Sequence, residues 1–258
     1  MKKKNHRPIV PETALLIPDN NVNTKTDNSP IIPQRSKLKA FLKISQQQVL
    51  TEKQKEFLSL TKDKDVKVIF VSGPAGTSKT YLSVLTAIEM INEKRVSDLI
   101  YIRSAVESAD AKLGFLPGEI NDKMSPYIKP LVDKLYEFMS KGDIDILMKE
   151  ERIKSIPVSF LRGLNWNAMV VVADEAQNMT FKELFTLITR TGKFTKVFIL
   201  GDPEQSDING KSGFIKMIST FDDEESRQNG IHVFRFTEDD IVRSGLVQFI
   251  IRKVKKCL

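Results

Sequence analysis

The chain has 258 residues, 41% of them hydrophobic, enough to bury a sizeable core in one main domain. A single cysteine, Cys257, and two histidines, His6 and His232, argue against a disulfide scaffold, a histidine-based metal cluster and a Ser-His-Asp triad. The apolar runs are strand-sized, well short of the roughly 20 residues of a membrane span. The amino terminus also lacks a signal-peptide pattern, so a cytoplasmic protein without membrane contact is expected.

Charge is uneven along the chain. Residues 1–45 carry nine Lys/Arg against three Asp/Glu, nearly all of the net +7, together with five of the eleven prolines. No apolar period there is long enough for a helix or strand, so the segment reads as a basic, disordered arm. Such an arm either attracts nucleic acid by neutralising phosphates or serves as a solubilising or partner-binding tail. From residue 46 to 258 the charges nearly balance, and strand-like and helix-like segments alternate. That pattern predicts an α/β domain, its sheet mostly parallel, with helices on both faces.

A helix is expected over Thr51 to Leu60 and a strand from about Val66. Directly after the strand stand Gly73-Pro74-Ala75-Gly76-Thr77-Ser78-Lys79-Thr80, opening a helix over Lys79 to Asn92. A glycine-rich turn between strand and helix aims successive backbone N–H groups at a triphosphate, with a lysine for the phosphates and a hydroxyl for Mg²⁺. The pattern G-x-x-x-x-G-K-[ST] is met except at Ser78, which replaces its second glycine. A Cβ at Ser78 crowds the loop if that position needs glycine-like dihedrals. Without further support, the segment has a weaker alternative reading as a Gly/Pro turn before an ordinary helix, with a surface lysine.

The support lies downstream. A strand is expected near Leu99, a helix over Pro126 to Ser140 and a strand near Val158. The apolar run from about Met169 then ends in Asp174-Glu175-Ala176-Gln177-Asn178. In a phosphate-loop enzyme the first acid holds the Mg²⁺ shell and the next polarises the attacking water. After a helix over Phe181 to Thr189, a strand near Val197 ends in Gly201-Asp202-Pro203-Glu204-Gln205, where Gln205 can sense a γ-phosphate. The carboxyl ends of parallel strands share one sheet edge, so these segments can meet although they are far apart in sequence. A helix over Gly213 to Phe221, a strand near Val233 and a helix over Asp239 to Lys255 complete the reading. Leu131, Leu135 and Phe138, and likewise Ile241, Leu246, Phe249 and Ile250, recur at helical spacing and read as core faces.

The Asp174–Asn178 and Gly201–Gln205 segments look like motifs II and III of superfamily 1 helicases. The chain more closely resembles the PhoH family of phosphate-starvation-inducible ATPases. Further residues carrying that resemblance are Arg103-Ser104-Ala105-Val106-Glu107, Lys112-Leu113-Gly114-Phe115-Leu116-Pro117-Gly118, Phe160-Leu161-Arg162-Gly163 and Asp240-Ile241-Val242-Arg243, while Ser244-Gly245 departs from a more usual His-Pro pair. The resemblance implies a recombinase-like phosphate-loop fold. It places Lys79 on the β/γ-phosphates of ATP, Thr80 and Asp174 on Mg²⁺, Glu175 as catalytic base and Gln205 as γ-phosphate sensor. Gln54 stands where helicase-like ATPases read adenine, although a polar surface helix would look the same.

Superfamily 1 helicases close the ATP site between two such domains, and this chain has room for one. Arg243 is therefore the candidate transition-state cation. A homo-oligomer, in its fullest form a hexameric ring, would let Arg243 of one subunit reach ATP on the next. The helicase-like motifs, with Arg103 and Arg162 near the same edge, imply a single-stranded nucleic-acid partner, RNA in preference to DNA. Two alternatives stay open at this point: an ATP-dependent regulatory module that binds a protein partner without translocating, and a nucleotide-binding fold whose chemistry is lost.

Overall fold

The computed structural model describes residues 41–45, 49–104, 120–161, 165–208, 210–243, 245–246, 249–250 and 253. The arm over 1–40, the motif residues 105–119, Arg162, Gly163 and Ser244 lie outside them.

Six strands form one sheet: β1 (Val68–Ser72), β2 (Asp98–Arg103), β3 (Ile153–Pro157), β4 (Met169–Asp174), β5 (Lys196–Gly201) and β6 (Ile231–Arg235). Their order is β3-β2-β4-β5-β1-β6, and every pairing is parallel. Central strands buried on both faces need continuous apolar runs, which Val68-Ile69-Phe70-Val71 and Val170-Val171-Val172-Ala173 supply. Alternate side chains feed two cores. Ile69, Val71, Leu99, Tyr101, Val170, Val172, Phe198 and Leu200 face one side. There they meet α1 (Glu52–Lys62), α2 (Lys79–Asn92), α3 (Ile120–Tyr136) and α4 (Lys141–Lys149). Phe70, Ile100, Ile102, Val171, Ala173, Val197 and Ile199 face the other, covered by α5 (Phe181–Ile188) and α6 (Phe214–Phe221). A short α7 (Glu224–Gln228) precedes β6. All six strands run the same way, so the segments after β1, β2, β4 and β5 meet at one edge.

Several boundaries differ from expectation for identifiable reasons. Residues 41–45 pack on the body: Leu42 is fully buried, and the Asn92 amide accepts from its N–H at 3.0 Å and donates to its carbonyl at 2.9 Å. α3 begins at Ile120, ahead of Pro126, and stops at Tyr136. Ser140 instead caps α4, a helix the sequence reading did not include, by accepting from the Asp143 N–H. Val158 starts a 3₁₀ turn, and the strand lies just before it. The register from Leu99↔Ile153 to Arg103↔Pro157 ends at a proline, which has no N–H to continue the ladder. Leu131, Leu135, Phe138 and Ile241 are core residues as expected, whereas Leu246, Phe249 and Ile250 are exposed. The helix expected from Asp239 does not begin there. A 3₁₀ turn at Glu238–Asp240, with Asp240 bonded back to Thr237, is followed by extended Ile241 and by Val242, whose N–H donates to the Gly76 carbonyl at 3.0 Å. Among the described residues, no helix is long and apolar enough to cross a membrane.

Candidate active site

The loop between β1 and α2 owes its shape to its glycines and one exception. At Gly73 an added Cβ would come within 2.7 Å of Phe236 Cβ. At Gly76, with φ +93°, it would meet Arg243 Nε at 2.9 Å. Ser78 sits at φ 66°, ψ 23°, in the left-handed region where the usual pattern has glycine. Loop bonds brace the turn: the Thr77 hydroxyl donates to the Pro74 carbonyl, and Ala75 N–H donates to Asp202 Oδ2 at 3.2 Å. The Lys79 ammonium lies across the loop, donating to the carbonyls of Gly73 at 2.6 Å and Pro74 at 3.0 Å. Burial pulls its pKa down, and the carboxylates of Asp202, Asp174 and Glu175 oppose that pull.

Thr80, on the first turn of α2, donates to both oxygens of Asp174 at 3.2 and 3.1 Å. These are hard oxygen donors side by side, and they fit Mg²⁺, which takes one or two protein oxygens, several waters and phosphate oxygens. Asp174 is held from a second side by Tyr101 of β2, whose hydroxyl donates to Oδ2 at 2.6 Å. Burial raises the Tyr101 pKa, and the neighbouring Asp174 charge raises it further, so the phenol remains a donor. Glu175 follows in left-handed backbone geometry at φ 54°, a strained conformation that turns its side chain out of the strand. Its carboxylate accepts from Gln177 Nε2 at 2.6 Å and lies 3.8 Å from the Arg103 guanidinium. Buried Gln177 also donates to the Gln205 carbonyl at 3.3 Å and accepts from the Asp202 N–H at 3.1 Å. Asn178 extends the tie by pairing with Asp207 through both ends of its amide.

One cleft of about 300 Å³ gathers Ala75, Gly76, Ser78, Lys79, Thr80, Asp174, Glu175, Gln205 and Arg243, each expected from sequence. Gly73, Pro74 and Thr77 shape the loop without lining the cleft. Gln54 does not line this cleft. It is buried beneath the loop, where Oε1 accepts from Thr51 N–H in a capping box and Nε2 donates to the Thr77 carbonyl at 3.4 Å. This side chain supports the loop; reading adenine would require it to leave both partners. Arg243 lines the same cleft from its own chain. Its side chain lies against Gly76, where an added Cβ would meet Arg243 Nε. Tyr101, Gln177, Asp202 and the Lys134–Glu137 pair that lines the cleft wall were not singled out from the sequence. Tyr101 becomes visible only through strand pairing. Arg103 is opposite Asp174, so Tyr101, two residues earlier on the same face, is its diagonal neighbour.

The loop, the Thr80–Asp174 pair, the following glutamate and the sensor segment on an all-parallel sheet define a P-loop NTPase-type site. The chain belongs to the PhoH family: the model described as PhoH-like protein matches residues 46–255. It is 38% identical to a PhoH-like protein of Mycobacterium tuberculosis over 186 residues, which is 71% of this chain and 51% of the relative. Identity to a PhoH-like protein of Synechocystis is 35% over 208 residues, with 80% and 61% of the two chains covered. Protein PhoH of Escherichia coli is 32% identical over 201 residues, with 76% and 55% covered. The chain thus spans between half and two thirds of the length of these relatives. Among solved structures, the large terminase of a thermophilic bacteriophage aligns with TM-score 0.49 at 12% identity, covering 80% of this chain and 50% of that one. A Pif1 helicase structure aligns with TM-score 0.32 at 17% identity, covering 74% and 44%.

Proposed function

We propose that the chain is a Mg²⁺-dependent ATPase whose turnover is coupled to a single-stranded nucleic acid, RNA in preference to DNA. The observation that carries the reading is the convergence of Lys79, Thr80, Asp174, Glu175, Gln205 and Arg243 on one cleft. Lys79 leaves its loop carbonyls for the β/γ-phosphates, and Thr80 and Asp174 hold the metal. Mg²⁺ held by Thr80 and Asp174 would supply positive charge against the negative charge of the phosphates. Glu175 accepts a hydrogen bond from the attacking water and orients it toward the γ-phosphorus. Gln205 contacts the γ-phosphate, and Arg243 lies against the loop where charge develops in the transition state.

The test is phosphate release with and without single-stranded RNA. Lys79→Ala is expected to lose nucleotide binding, and Glu175→Gln to retain binding while losing turnover. Wild-type turnover by Glu175→Gln would remove the role given to that residue. Turnover indifferent to RNA and to single-stranded DNA would leave an ATPase without the proposed coupling.

A further inference from the structure

α5 and α6 present a surface that their packing does not explain. Leu184 and Leu187 of α5, and Phe214, Met217 and Ile218 of α6, already bury the core-facing sides of the two helices. On the outer sides, Phe181, Phe185 and Ile215 remain 38%, 55% and 56% exposed. Phe181 and Phe185 are four residues apart, so they share one helix face at a separation of about 6 Å along the axis. Lys216 reaches across from α6 and sets its ammonium 4.9 Å from the centre of the Phe181 ring. Lys182 is exposed on the same helix. The one carboxylate on the two helices, Glu183, is engaged by the N–H and hydroxyl of Thr180 in the capping box. The surface therefore combines aromatic faces with cations, and its only acid is bound at the helix start.

This surface is wired to the site. Asp174 and Glu175 lead through a 3₁₀ turn, Ala176–Asn178, into the Thr180 cap of α5. Gly213, at the start of α6, donates its N–H to the Met179 carbonyl at 2.9 Å. Gln177 and Asn178, in the same turn, hold Glu175 and the loop carrying Gln205 and Asp207. A ligand that shifts the starts of α5 and α6 therefore moves the residue that orients water.

We infer that the α5–α6 face is a stacking platform for single-stranded nucleic acid, with bases on Phe181 and Phe185 and backbone phosphates on Lys182 and Lys216. Stacking on aromatic faces beside lysines is how strands are held without sequence reading, and charge favours a polyanion over an apolar protein partner. The inference rests on the proposed coupling of turnover to a strand and names where that strand lies.

The experiment uses the full chain, with fluorescein-labelled oligo(U) and oligo(dT) followed by anisotropy, alongside ATP turnover. Phe185→Ala is expected to weaken strand binding about tenfold and to abolish strand stimulation, while turnover without a strand is unchanged. Lys216→Ala is expected to flatten the dependence of log Kd on log salt by about 0.7. Phe194→Ala, at a 51% exposed residue ahead of β5, is the control that leaves binding unchanged. Wild-type strand affinity and stimulation in Phe185→Ala would overturn the platform and leave the coupling intact. A wild-type chain that binds neither oligonucleotide would remove both while leaving ATP hydrolysis to its own assay. A wild-type oligomer that Phe185→Ala splits, with unchanged strand binding, would make the face a self-interface and overturn the platform too.

Discussion

Arg243 offers the sharpest quantitative contrast. Its segment is tied to the phosphate loop by the bond from Val242 N–H to the Gly76 carbonyl, and its side chain fills the space above Gly76. An arginine that neutralises the transition state contributes about 10³- to 10⁵-fold to phosphoryl-transfer turnover, so Arg243→Ala is expected to fall by that order. The geometry also fixes what mixing should do. In the cis arrangement that their shared cleft favours, an equimolar mixture of Arg243→Ala and Glu175→Gln contains no complete site and is expected to stay inactive. Were the arginine supplied by a neighbour, random co-assembly would restore about one site in four. The assay is steady-state phosphate release after denaturation and co-refolding of the two variants, with subunit exchange verified by a tag on one of them. Recovery to about a quarter of wild-type turnover would refute the cis arrangement. An Arg243→Ala variant with normal turnover would refute the role itself.

Three further outcomes follow from the same geometry. Tyr101→Phe removes only the hydroxyl that donates to Asp174, so half-saturating Mg²⁺ in the turnover assay is expected to rise roughly tenfold; an unchanged Mg²⁺ dependence would show that Thr80 alone orients the carboxylate. Ser78→Gly relieves a left-handed serine that costs about 1 kcal/mol, so turnover and melting temperature are expected to hold or rise, and a large loss would assign the hydroxyl a task of its own. Buried Lys196 donates to the carbonyls of Thr61 and Asp63 at the end of α1, and burial, aided by Arg95, lowers its pKa from 10.5 to about 8. Between those values the unfolded chain binds the extra proton, so this lysine makes stability rise with pH, by up to about 3 kcal/mol. Denaturant titrations from pH 7.5 to 10.5 are expected to show that rise in wild type but not in Lys196→Met, and equal slopes would refute it.

The fold was readable wherever one local pattern decided the structure. Lys79 to Asn92 is a helix with the expected limits, because a loop whose lysine and threonine must open a helix leaves little freedom at its start. The central strands declared themselves by apolar runs too short for a helix. Reading failed where residue type and spacing allow more than one structure. Ser140 looks the same whether it ends one helix or caps the next, and the choice belongs to its bond with Asp143. Leu246, Phe249 and Ile250 have core spacing, but spacing alone says nothing about whether an element exists to cover them. Of the site, the charged and hydroxyl residues that touch nucleotide in the proposed reading were visible by type and position. Tyr101 was hidden because its partner Asp174 comes from a strand adjacent in space and distant in the chain, and Gln177, although inside the Asp174–Asn178 segment, showed no role until its bonds to the Gln205 and Asp202 backbone were seen.

The buried Gln177 amide has its nitrogen committed to Glu175 and Gln205 and its oxygen committed to Asp202. An amide in that position cannot turn end for end, since a flip would set oxygen against oxygen and N–H against N–H at all three contacts. The Glu175 segment and the Asp202–Gln205 segment are therefore tied through one side chain. Either can rotate toward a nucleotide only by carrying the other along or by breaking buried hydrogen bonds. Under the proposed function, such a tie would couple occupancy at the γ-phosphate position to alignment of Glu175.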